Sequence, residues 1–184
     1  MKRLLFLLCL IGLPGPVSSQ SLEKYYVSGM TTKQLSASIR QLGPRNATGA
    51  TRIRLGYSYT RSRSNGISRA IKPVVTRDVV FRMPYWRGYP NASECMKRSW
   101  TAMYASLARH EIKHMQISEG VPAQIEAAIL SVPPQKSDRV LQDMVKKAVG
   151  KVLKAHNAAQ AKFDRETKHG MEDPADPILF KHCR

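Results

Sequence analysis

His110-Glu111-Ile112-Lys113-His114 constrains this chain more than any other stretch of it. The string reads H-E-x-x-H, and its surroundings predict a long amphipathic helix. Trp100, Met103, Leu107, His110, His114 and Ile117 recur at spacings of three and four, so both histidines continue an apolar, core-facing stripe. Two imidazoles one turn apart can reach one zinc ion, and Glu111 beside them can serve as general base toward a water activated by the metal. With this histidine and glutamate content, the string arises by chance in on the order of one chain in two hundred. The competing reading is a pair of neutral core histidines satisfied by hydrogen bonds. It needs several convenient partners in a dry stripe, where one metal accounts for both rings.

Two histidines do not complete a zinc site, which takes a third protein ligand if one position is to stay open for water. The extended motif with a glycine and a third histidine is absent: Ile117 stands where the glycine would be, and Gly120 where the histidine would be. A downstream glutamate is the other common solution, and Glu126 is the nearest candidate, but it follows His114 too soon, across a Gly120-Val121-Pro122 break. The richest remaining cluster is Phe163-Asp164-Arg165-Glu166-Thr167-Lys168-His169-Gly170. It lies at the end of a second long helical pattern, which Ser137 and Asp138 open and which runs through Leu141, Val145, Ala148, Val152, Ala159 and Phe163.

Elsewhere the pattern predicts a small sheet and short helices. Tyr25-Tyr26-Val27 reads as a short strand, and Thr31 or Thr32 as the cap of a helix with Leu35, Ile39 and Leu42 on one side, stopped by Gly43-Pro44. Ile53, Leu55, Tyr57 and Tyr59 alternate with polar residues as in a half-buried strand. Ser62 to Arg69 has the composition of a loop, and Val74-Val75 and Val79-Val80-Phe81 predict one or two strands ending at Pro84, which cannot donate to a ladder. Tyr85, Trp86 and Tyr89 follow, suited to packing on the sheet or to lining a groove. Ser93 or Asn91 caps the motif helix. A short helix carrying Ile125, Ile129 and Leu130 ends at Pro133-Pro134. Residues 20–170 thus read as one α+β domain, followed by a loosely held tail at 171–184.

The amino terminus carries targeting information. Lys2 and Arg3 precede an apolar run from Leu4 to Leu13, Pro14-Gly15-Pro16 breaks it, and Val17-Ser18-Ser19 offers small residues for a peptidase. Residues 1–19 are the expected signal peptide, with cleavage near Gln20; the run is too short to span a bilayer. A periplasmic or secreted location follows. Cys95 and Cys183 then either pair, as an oxidising compartment favours, or remain two thiols. The net charge of +17 falls by two with Lys2 and Arg3 and draws the protein toward polyanions. Arg52, Arg54, Arg61, Arg63 and Arg69 form part of one charged face. No nucleic-acid module accompanies it, so a solvated strand face is the simpler reading and nucleic acid is not an expected partner.

The chain resembles the predicted secreted zinc-dependent proteases of bacteria, from about Tyr25 to Gly170. The resemblance rests on Tyr26-Val27-Ser28-Gly29, Leu42-Gly43-Pro44, Met83-Pro84 with Trp86 close behind, the H-E-x-x-H string, and an aromatic-Asp-x-x-Thr-x-His-Gly element spelled here Phe163-Asp164 through Thr167-x-His169-Gly170. The last two together are the specific part. Lys113 departs from the family's pattern, which often has a small residue there. The resemblance implies a zincin-like single domain, with a small antiparallel or mixed sheet packed on the motif helix and a long C-terminal helix. It also implies one zinc ion held by His110 and His114, Glu111 as base, and completion of the site by the terminal element. His169 is the expected third ligand and Asp164 the alternative. Against His169 stands its place at a helix end, where an imidazole is favourable beside the last carbonyls.

Two function classes remain. One is a secreted metallopeptidase acting on peptides or proteins, with an exposed edge strand such as Val79 to Met83 holding an extended substrate. The other is a basic envelope-binding protein without activity, carrying a structural or vestigial zinc site and drawn to anionic cell-wall or envelope polymers. Glu111 favours the enzyme, because a structural site has no use for a base; the charge fits either class.

Overall fold

The longest run of alternating burial in the chain builds the middle of the sheet. In the computed structural model, which describes residues 17–44, 47–170 and 183, strand β3 (Ile67–Trp86) carries Ala70, Val75, Val79 and Met83 into the interior. Strand β2 (Ala50–Ser64) pairs with it antiparallel, and β1 (Val17–Val27) pairs parallel on its other side, giving the order β1-β3-β2. The sheet is mixed and the class α+β, as expected.

Three expectations for this sheet need correcting. Residues 62–69 are not a loop: Ser62 pairs with Arg69, Arg63 with Ser68 and Ser64 with Ile67 around a two-residue turn. Asn65 and Gly66 occupy that turn with φ of 50° and 74°, the left-handed pair that a tight hairpin demands and that Asn-Gly supplies. Strand β3 does not stop at Pro84 but continues to Trp86. Strand β2 leaves the ladder at Arg82, so from there β3 is bordered by β1 alone and a missing N–H is tolerated. For the same topological reason Val79 to Met83 is no edge, since Val79 is registered with both Gln20 and Ile53. Among the described residues the edges are β1 and β2. Strand β1 also begins at Val17, inside the segment expected to be a leader.

Helix α1 (Thr32–Leu42) starts on the Thr31 hydroxyl, which accepts from the Gln34 N–H, and buries Leu35 and Ile39 while Leu42 stays exposed. Helix α2 (Glu94–Ile117) starts on Ser93, whose hydroxyl accepts from the Met96 N–H. Its first half lays Met96, Trp100 and Met103 against Tyr25, Val27, Leu35, Ile39 and Trp86 in one apolar cluster. Trp86 belongs to that packing, its ring centroid 5.3 Å from that of Trp100, whereas Tyr85 is exposed. Cys95 is disulfide-bonded to Cys183, with Cα atoms 5.7 Å apart, so residue 183 is tied to the start of α2.

A second cluster joins the sheet to helices α3 (Val121–Leu130) and α4 (Asp138–Glu166). It contains Ala70, Val75, Ile125, Ile129, Leu141, Val145 and Val149; Leu130 faces solvent. Each fully buried aliphatic side chain contributes about 1.5–3 kcal/mol. The inward face of α4 then changes character. Ala159 is exposed, and the positions turned inward beyond Leu153 are His156, Gln160, Phe163, Asp164 and Thr167. The inward face of α2 turns polar in the same way, from Met103 to His110, Glu111 and His114. These two polar stretches meet.

Candidate metal centre

The two histidines project from one face of α2, and α4 brings Asp164 against both. Asp164 Oδ1 lies 2.9 Å from His114 Nε2 and 3.4 Å from His110 Nε2, while the two Nε2 atoms are 3.2 Å apart. Phe163 holds the rings in place. It stacks on His110, with centroids 4.8 Å apart, and meets His114 edge to face at 5.0 Å.

Each ring has a polar partner on its far side, and the one at His114 fixes its tautomer. Gln160 donates its amide N–H to the main-chain oxygen of His114 at 2.9 Å, so its oxygen is the atom 2.6 Å from His114 Nδ1. That nitrogen therefore carries the proton. Thr167 donates its hydroxyl to Phe163 O at 2.9 Å, leaving its oxygen to accept from His110 Nδ1 at 3.5 Å. The Nε2 of His114 is thus bare, and two imidazole nitrogens and a carboxylate oxygen converge on one point. Lone pairs at such distances repel unless a proton or a metal cation lies between them.

A divalent ion fits this donor set. Bonds of about 2.1 Å in a tetrahedral site place neighbouring ligand atoms roughly 3.4 Å apart, close to the three separations found. His110, His114 and Asp164 are the His, Cys, Asp or Glu group among the described residues whose ligand atoms gather closely enough to hold a metal. Burial, reinforced by neighbouring His114 and opposed by Asp164, lowers the pKa of His110 below its ordinary value. The ring is thereby kept neutral, as ligation requires.

His169 stands apart from this group. Its Nδ1 is 3.7 Å from Asp164 Oδ1, and its side chain is 73% exposed, against 9% for His110 and 13% for His114. The residue that meets both imidazoles is Asp164, the alternative in the sequence reading. Glu126 lies on α3, outside the cluster.

Glu111 is buried beside the histidines. The Thr51 hydroxyl lies 2.7 Å from its Oε2 and 3.0 Å from its main-chain oxygen, with capacity to donate to either. Burial raises the pKa of Glu111, while the Thr51 bond and the nearby His114 oppose the rise. Thr51 reaches it because β2 starts almost in contact with α2: a Cβ on Gly49 would lie 2.8 Å from a methyl carbon of Leu107. Thr51, Gln160 and, as a hydrogen-bond partner, Thr167 escaped the sequence reading. Gln160 was accessible in principle, since it sits one helical turn before Asp164 on the same face. Nothing local marks Thr51.

Residues 22–170 match the family model described as "Bacterial protein of unknown function (DUF922)". The chain belongs to that family. The matched span runs from β1 to the turn at Gly170 and so contains His110, Glu111, His114, Asp164 and His169. No curated protein and no solved structure matches the chain. Among the described residues, no helix is long and apolar enough to cross a membrane.

Proposed function

We propose that this DUF922 chain is an exported zinc-dependent metallopeptidase, in which His110, His114 and Asp164 hold the ion and Glu111 is the general base. The observation that carries the reading is the convergence of two Nε2 atoms and Asp164 Oδ1, with Gln160 and Thr167 contacting the rings from behind. An ion bound there would act as a Lewis acid, acidifying a water and polarising the carbonyl to be attacked. Three protein ligands rather than four leave room for that chemistry. Glu111 would take the proton from the attacking water and return it to the leaving amine. Its burial favours this role, because a carboxylate whose pKa is raised holds a proton more readily.

The sheet offers a place for the substrate on the same side. Strand β2 is an edge of the sheet, and its Thr51 touches Glu111. An extended peptide added along β2 would have its main chain fixed by strand hydrogen bonds close to the base.

The second reading, a basic envelope-binding protein with a structural or vestigial metal site, draws on the charge of +17. It leaves Glu111 without a role: the carboxylate is buried at a cost and is not a member of the ligand group. The test is metal analysis of the purified protein, followed by Glu111→Gln on a mixed peptide library at matched zinc content. Glutamine keeps the shape and accepts no proton, so zinc should be retained while hydrolysis falls by roughly 10²–10⁴. Equal cleavage by both proteins would remove Glu111 as base, and a parent that binds zinc but cuts nothing would favour the binding protein.

A further inference from the structure

We infer that His169 faces the substrate, donating a hydrogen bond to the oxygen that becomes negative during hydrolysis, and is not a metal ligand; this rests on the peptidase reading above. Three observations carry it. The imidazole lies beside Asp164, its Nδ1 3.7 Å from the carboxylate oxygen that both Nε2 atoms approach. It therefore borders the centre. Its side chain is 73% exposed whereas the Asp164 side chain is 30% exposed, so it is free to meet an incoming molecule in a way that His110 and His114 are not.

The backbone supplies the third observation. Lys168 and His169 both adopt left-handed conformations, with φ of 46° and 56°. Such geometry is strained for residues other than glycine, and strain of this kind gathers at functional sites, where the surroundings hold it in place. Here it turns the chain sharply after Thr167, which itself bonds the Phe163 carbonyl and meets His110. A continued helix would carry residue 169 onward past the centre; the turn keeps it beside Asp164. An imidazole has an N–H in either tautomer and can donate to an oxyanion whether neutral or charged. Donors aimed at developing negative charge stabilise the transition state more than the ground state.

His169→Gly is the decisive variant, because glycine tolerates the left-handed backbone and only the imidazole is lost. Zinc stoichiometry and affinity would be measured by chelator competition. A phosphinic dipeptide, whose tetrahedral anion stands in for the transition state, would be titrated into the zinc-loaded protein. The expected result is one ion per chain in both proteins with affinities within about threefold, and a phosphinic dipeptide bound roughly 10- to 100-fold more weakly by the variant, the range for a lost hydrogen bond to a charged group. Loss of zinc from the variant would overturn the inference by making His169 a ligand. Retained zinc with unchanged phosphinic affinity would overturn it by making His169 a bystander. A wild-type protein that binds no zinc would instead sink the peptidase reading itself, before the variant is compared.

Discussion

Gln160 grips His114 at both ends, its amide oxygen 2.6 Å from the ring Nδ1 and its amide nitrogen donating to the main-chain oxygen at 2.9 Å. One side chain on α4 thereby sets both the tautomer and the orientation of a residue on α2. Outer hydrogen bonds of this kind commonly tune metal affinity by about 10- to 100-fold. Gln160→Leu keeps a similar volume and removes both bonds, so zinc affinity should fall within that range while the fold persists. Chelator competition measures it; an unchanged affinity would mean that the edge-to-face contact with Phe163 holds the ring without Gln160.

Asp164 supplies the only carboxylate of the ligand group, and its removal tests which residue completes the centre. Asp164→Ala should abolish tight zinc binding, as should His110→Ala or His114→Ala. A bound ion stabilises the native state by mass action, about 2.7 kcal/mol when free zinc is a hundredfold above its Kd. The wild type should therefore melt higher with zinc than with a chelator, and the three variants should show no such difference. A zinc-dependent rise that survives in Asp164→Ala would return the third position to His169.

How much of this could be read from the chain depends on how far apart the partners lie. The motif helix, its Ser93 cap and the α4 start at Ser137 are written in local periodicity and capping residues. The Asn65-Gly66 turn was equally local, but the surrounding serines and arginines have the composition of a loop and concealed the alternation of two exposed strand ends. Pro84 misled for a different reason. Whether a proline breaks a ladder depends on which neighbour remains beside it, and that is a property of topology. The Thr51–Glu111 bond joins residues 60 positions apart, set by how β2 lies along α2, and no pattern in either segment announces it. That Asp164 meets both imidazoles depends on how α4 lies along α2, which no local pattern in either segment announces.

The disulfide makes a separate prediction. Cys95 and Cys183 lie 88 positions apart, and closing so long a loop restricts the unfolded chain. Native disulfides typically contribute about 2–4 kcal/mol. Cys95→Ser with Cys183→Ser should lower stability by that amount in denaturant unfolding, leaving zinc affinity unchanged, because Cys95 begins α2 and the ligands sit near its other end. Loss of zinc in the double variant would show that the carboxy-terminal tether supports the centre as well as the fold.

His156 predicts the pH response. It is buried on the inward face of α4, and its Nδ1 has no hydrogen-bond partner among the described residues. Burial disfavours the charged ring and lowers its pKa below the ordinary value of 6.5. In the unfolded chain the same ring protonates near 6.5, so below that pH the unfolded state binds more protons and stability rises with pH. The loss should begin as pH falls through about 6.5 and level off once the folded-state pKa has been passed. His156→Leu removes the titration together with an unpartnered nitrogen, whose burial costs about 1–3 kcal/mol. The variant should be at least as stable as the wild type at pH 7.5, and the gap between them should widen between pH 7 and pH 5. His110 also has a lowered pKa, but it is present in both proteins and cancels in the difference. Denaturant unfolding across that range measures the gap, and parallel curves would show that His156 finds a partner when charged.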